Sequence, residues 1–229
     1  MHRNFISSMI VLLLPIASSA DETQILFDGT TTDQWEFAKD AWFIDAEGSL
    51  TCRMQQIKGR NGTTRTRGMG YIWTQQSYAN FELQLHYKLS KAANSGVFYR
   101  SDPSDPVQKG FEIQLLDNEG FQAVQGAKDR KNLNGALYDA QAASQEAGKP
   151  VGQWNSLKLT CRGPIVTVEI NGVIVNQGNI DRWQTAGKNP DGSNNKFKTA
   201  LKELPREGKI GFQNHGQVVW IKDVSIKPL

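Results

Sequence analysis

Cysteine is scarce in this chain: Cys52 and Cys161 are the only two among 229 residues. That count excludes a disulfide-built scaffold, and with three histidines it leaves little from which to assemble a Cys/His metal centre. An excess of one charge is also lacking. The 26 Lys and Arg against 23 Asp and Glu give a net charge of +3, so nothing calls for a nucleic acid. The sequence has no fixed repeat, no Pro/Ser-rich linker and no long stretch with a convincing amphipathic-helix period. A solenoid, a helical bundle and a pair of linked domains are thereby set aside.

One long apolar run is present, and it sits at the N-terminus. His2 and Arg3 make a short basic start, residues 5–17 are almost wholly apolar, and Ser18, Ser19 and Ala20 supply small residues before Asp21. This order reads as a secretory signal peptide over residues 1–20, its apolar run too short for a membrane span; an uncleaved anchor is the alternative. The expected mature domain is 21–229, periplasmic or secreted, with no membrane attachment after cleavage. In such a compartment Cys52 and Cys161 are compatible with a disulfide or with two buried thiols.

What remains reads as strand after strand. Residues 81–89 alternate strictly, placing Phe81, Leu83 and Leu85 on one face and Glu82, Gln84 and His86 on the other. The same parity puts Phe111, Ile113, Leu157 and Leu159 in a core, with Glu112 and Gln114 pointing away from it. Further short strands are expected at 42–44, 49–54, 96–100, 165–170, 173–176, 210–213 and 218–226, and Asn171-Gly172 is a tight-turn signal. Only residues 140–147 suggest one or two helical turns. Many short strands with Gly-rich turns predict an all-β fold: one sandwich of two curved antiparallel sheets.

Two loops stand apart. Residues 58–69 carry Lys58, Arg60, Arg65 and Arg67, which suit either a solvated loop or contact with an anion. Residues 179–197 form a long polar segment around Trp183, which either stacks on a ligand or pins the loop to the body. If the strands at 96–100 and 111–116 pair, Arg100 ends beside Glu112, giving either a cross-strand ion pair or a functional one on an exposed concave sheet. His215, in a turn between two strands, has the residue type and setting for proton transfer; His86 is the weaker candidate.

With these residues in view the chain resembles the 3-keto-disaccharide hydrolase domain family. The likeness is carried by Leu26-Phe-Asp-Gly29 with Trp35, by Asn94-Ser-Gly-Val-Phe-Tyr-Arg100 and by Phe111-Glu-Ile-Gln-Leu-Leu-Asp117. Gly135-Ala-Leu-Tyr138, Gln153-Trp-Asn155 and Gly208-Lys-Ile-Gly-Phe-Gln-Asn-His-Gly216 complete it. The chain departs at Trp220, at Lys222 and in the longer loop at 58–69. The resemblance implies a concanavalin A-like lectin/glucanase jelly roll that cleaves 3-keto-glycosides, with a non-catalytic carbohydrate-binding module as the alternative. A conventional retaining glucanase is disfavoured. Beyond Glu112 its strand face holds Gln114 and Leu116, whereas two carboxyls about 5 Å apart are required. A ketone at C3 acidifies the C2 proton and lets the C1 oxygen leave by elimination, which needs a base, an acid and an electrophile for the enolate. Glu112 and His215, in either order, are the expected base and acid, with Arg100 or a bound divalent cation as the electrophile. Gln114, Asp117, Asn94, Tyr138 and Asn214 are the expected sugar contacts.

Overall fold

The computed structural model describes residues 22–59 and 61–229; the expected signal peptide lies outside them, as does Arg60. The chain runs β1 (Gln24–Phe27), β2 (Trp35–Phe37), β3 (Trp42–Ile44), β4 (Leu50–Cys52), β5 (Met54–Lys58), β6 (Thr64–Gly68) and β7 (Ile72–Tyr78). It continues through β8 (Phe81–Leu89), β9 (Asn94–Ser101), β10 (Phe111–Leu116) and α1 (Asn118–Gln125). It closes with β11 (Asn155–Arg162), β12 (Ile165–Ile170), β13 (Val173–Asn179), β14 (Gly208–Phe212) and β15 (Val219–Pro228). One sheet has the order β13-β12-β11-β8-β15-β4-β3, with β1 also on β15. The facing sheet is β10-β9-β14-β7-β2, and β5 and β6 form a separate hairpin. Every strand pairing is antiparallel. This is the expected jelly-roll sandwich.

The period-2 pattern selects the core. Phe81, Leu83, Leu85, Phe111, Ile113, Leu157 and Leu159 all meet between the two large sheets. Burying each such side chain contributes about 1.5–3 kcal/mol before conformational entropy is charged against it. Asn171 and Gly172, at φ 52° and 81°, make the tight β12–β13 turn, in the left-handed region that favours these two residue types.

Two expectations are corrected, and the alternative left open for the cysteines is decided. Residues 140–147 form no helix; the one α-helix among the described residues is α1. Asp117 starts it: one carboxylate oxygen accepts from Gly120 N at 3.2 Å and the other from Ala92 N at 2.7 Å. This is an N-cap supported by Glu119 in the first turn. Cys52 and Cys161 are free buried thiols, not a disulfide. They lie on β4 and β11, with β8 and β15 between, so three strand spacings of about 4.8 Å part them where a bridge tolerates a Cα separation near 6 Å. The concave sheet at β9 and β10 is not exposed, because every residue of both strands is buried. The segment after α1 pairs along the free edge of β10: Gly135 N donates to Gln114 O and Tyr138 N to Glu112 O, both at 2.9 Å.

Candidate active site

Register places Glu112 opposite Phe98 and Gln114 opposite Gly96 on the β9–β10 pair. Glu112 therefore shares the concave face with Phe98, whose ring lies 5.4 Å from both Tyr71 and Trp73. Gly96 is needed there. A Cβ at that position would stand 2.1 Å from Glu112 Oε1 and 2.8 Å from its Cγ, so the bare backbone provides the bed for the carboxylate. Gln213 Nε2 donates to Glu112 Oε1 at 3.2 Å. Gln213 is itself fixed, because its N–H donates to Gly96 O at 3.0 Å and its carbonyl accepts from Ser95 Oγ at 2.7 Å.

Burial raises the Glu112 carboxyl from 4.5 to about 7, against the pull of the Lys196 and Lys128 ammoniums. Both lysines are shifted downward by the same loss of water, which outweighs their attraction to Glu112. The result is an acid and two amines brought toward one another in proton affinity, an arrangement suited to moving a proton near neutral pH. Lys196 Nζ lies 3.6 Å from the centre of the Tyr138 ring. Its backbone N–H donates to Asp139 Oδ2 at 2.7 Å, which fastens the 179–197 loop to the rim. Tyr138 and Tyr71 both have raised hydroxyl pKa values, burial first and the nearby Glu112 charge second.

Beside this cluster runs a groove of about 620 Å³, lined among others by Gln55, Arg65, Arg67, Met69, Tyr71 and His215. Tyr71 joins the two regions: Glu112 raises its pKa while Gln213 and Arg67 lower it. His215 is held in its turn by Asn214, whose Nδ2 donates to Arg53 O at 2.7 Å and whose Oδ1 accepts from Gly216 N at 3.3 Å. Partial burial and the Lys128 charge lower the His215 pKa from 6.5, so its neutral imidazole predominates at pH 7.

The expected site residues divide. Glu112 and Tyr138 come together on the concave face. His215 and Asn214 instead line the adjoining groove with Tyr71, the buried Asn214 amide being committed to Arg53 O and Gly216 N. Arg100 joins neither. At φ 48° the β9 backbone turns into the left-handed region and breaks the alternation, and the side chain is 1% exposed. Its guanidinium donates to Ala79 O at 2.7 Å, Gly163 O at 2.8 Å and Asn80 Oδ1 at 3.2 Å, clasping the two sheets. Leaving those acceptors unpaired would cost about 1–3 kcal/mol each, which makes Arg100 a structural clamp and not the electrophile. Gln114 donates to Asn94 Oδ1 at 2.7 Å and to Ser95 O at 3.0 Å, so this buried pair is committed to bracing the strands rather than to an open sugar contact. Asp117 is the cap described above. His86 sits elsewhere, 3.1 Å from Asp223. Trp183 is buried and donates from Nε1 to Asn189 Oδ1 at 2.8 Å, so it pins the long loop.

Reading the sequence missed Lys128, Lys196, Tyr71 and Gln213. Only the two loops set apart and the Gln-Asn-His-Gly turn gave a hint of them. For a cation, no group of three or more His, Cys, Asp or Glu among the described residues is placed to hold a metal ion. Two ammoniums whose charges reach Glu112 do not fit a divalent cation there.

A 3-keto-disaccharide hydrolase of Bacteroides thetaiotaomicron is 27% identical over 245 aligned residues, covering 97% of this chain and 83% of that protein. The crystal structure of a candidate glycosyl hydrolase from Parabacteroides distasonis superposes with a TM-score of 0.78 at 28% identity, covering 91% of this chain and all of the other. A second from the same organism gives 0.71 at 20% identity over 90% of this chain and 94% of the other, a likeness of fold. The model of one domain family matches residues 22–227, and on that match the chain belongs to the 3-keto-alpha-glucoside-1,2-lyase-like domain family.

Proposed function

We propose that this protein is exported and cleaves the glycosidic bond of 3-keto-glycosides by elimination, with hydration completing a net hydrolysis. The observation that carries the reading is Glu112: a buried carboxyl with a pKa of about 7, within the field of two partly desolvated lysines, on a strand face with no second acid. A carboxylate pair has no counterpart there, but elimination does not need one. In the proposed step the Glu112 carboxylate takes the C2 proton, and the electron pair delocalises onto the C3 oxygen, where Lys196 stabilises the enolate charge. The pair then returns to form the C1–C2 double bond as the C1–O bond breaks. A water at the His215 side of the site gives the leaving oxygen its proton, and the hydroxide that remains adds at C1 of the enone while Glu112 returns its proton to C2, so atoms and charge balance.

Turnover in heavy water tests this directly. The 3-keto sugar product is expected to carry deuterium at C2, because the proton on Glu112 exchanges with solvent before it returns. Product without deuterium at C2 rules elimination out in favour of direct hydrolysis. Binding without turnover of any 3-keto-glycoside supports the carbohydrate-binding module instead. Export rests on the basic start and apolar run before Asp21, and recovery of the native protein with Met1 intact overturns it.

A further inference from the structure

The β5–β6 hairpin is the part of the site that elimination chemistry leaves unused. Arg65 and Arg67 project from its exposed β6 strand into the groove that Tyr71 and His215 line. Among the described residues neither arginine takes part in an ion pair, and neither does Lys128. The base of the hairpin packs on the His215 turn: a Cβ on Gly68 would stand 2.2 Å from the Asn214 carbonyl, which sets the β6 backbone that carries the arginines beside that turn. Tyr71 lines the groove with them, and its hydroxyl feels both the Glu112 and the Arg67 charge. A groove of about 620 Å³ has room for a ring beyond the sugar being cleaved.

We infer that the groove receives the leaving group of the glycoside, and that this leaving group bears an oxyanion, a carboxylate or a phosphate, held by Arg65 and Arg67. The inference rests on the cleavage reading above and adds the substrate class. Two guanidiniums with no acidic partner present planar, forked donor sets that bind either oxyanion bidentately and suit it better than neutral hydroxyls. The basic groove also raises the local concentration of an anionic substrate. Lys196 and Lys128 add to that field, while the carboxyl their charges reach, Glu112, is only part-ionised near pH 7.

The test uses unoxidised aryl glucosides of both anomers as binding probes, followed by calorimetry: 4-carboxyphenyl and 4-phosphonophenyl against neutral 4-methylphenyl. The charged probes are expected to bind at least tenfold more tightly at low salt. That preference is expected to shrink toward unity at about 0.5 M salt, where the screening length falls to a few ångströms, and in the Arg65→Gln/Arg67→Gln double variant. The tighter of the two charged probes identifies the substituent. Equal affinity for charged and neutral probes, no measurable binding of any, or a preference that survives in the double variant each overturns the inference. Parallel turnover of 4-methylphenyl 3-keto-glucoside separates this from the parent reading. Turnover without anion preference removes the inference alone, whereas anion preference without turnover removes the cleavage reading and leaves an anion-selective sugar-binding groove.

Discussion

Replacing Glu112 by Gln is expected to lower kcat on a 3-keto-glucoside by 10²-fold or more, roughly the contribution of a positioned general base. The same change is expected to make the protein more stable above pH 7. The wild-type carboxyl is raised from 4.5 to about 7 in the fold, so the folded state prefers it protonated. Below pH 4.5 it is protonated in both states and has no effect on stability. Between these values the unfolded chain ionises first, and stability falls as pH rises. Above about pH 7 the full cost applies, up to roughly 3 kcal/mol for a displacement of this size. An amide of the same shape keeps the Gly96 bed and can still accept from Gln213, but carries no charge to desolvate. Thermal unfolding at pH 4 and pH 8 checks the sign: coincident melting temperatures at pH 4, and a higher one for the variant at pH 8. A variant that loses activity and melts lower at pH 8 would mean that Glu112 is a structural partner of the lysines and not a destabilised base.

That conflict between function and stability explains which parts of the protein were legible in the sequence. Strands were legible because apolar side chains must alternate to reach one core: β8 and β11 alternate in burial along their length, and β10 sends Phe111, Ile113 and Leu115 into the same core. The Asn171-Gly172 turn was legible because few residues tolerate its backbone. Arg100 defeated the same reasoning. Parity assigns it to the face of Glu112, but a single left-handed φ turns it into the interior, and no sequence signal marks that φ. Asp117 was misread because a helix cap and a sugar ligand call for the same short carboxylate, and α1, with Gly120 inside and its mixed surface, gave too little period to reveal the helix. Lys128 and Lys196 come from irregular segments brought to Glu112 only by tertiary closure: the 133–141 stretch lies along the edge of β10, and Asp139 then fixes the Lys196 backbone. Residues whose positions depend on contacts distant in sequence carry no local period to read.

Lys196 gives the sharper test of the chemistry, because it acts on the reaction in two separable ways. Its ammonium exerts the larger of the two charge effects holding the Glu112 pKa down, and it is the proposed electrophile for the enolate oxygen. Lys196→Met keeps most of the side-chain length and its cover over the Tyr138 ring while removing the charge. Without that charge Glu112 becomes harder to ionise, so the rising limb of the pH profile of kcat/KM is expected to move alkaline of its wild-type position near pH 7. At pH 7 the variant then has less carboxylate available and no ammonium at the oxyanion, and kcat is expected to fall 10²- to 10³-fold. Raising the pH restores the carboxylate but not the oxyanion contact. Activity is therefore expected to recover in part between pH 7 and 9 and to level off below wild type. Full recovery would assign Lys196 to tuning Glu112 alone, and an unmoved pH limb with lowered kcat would assign it to the oxyanion alone. A variant indistinguishable from wild type in both respects would remove Lys196 from the mechanism and leave Lys128 as the cation whose charge reaches the buried acid.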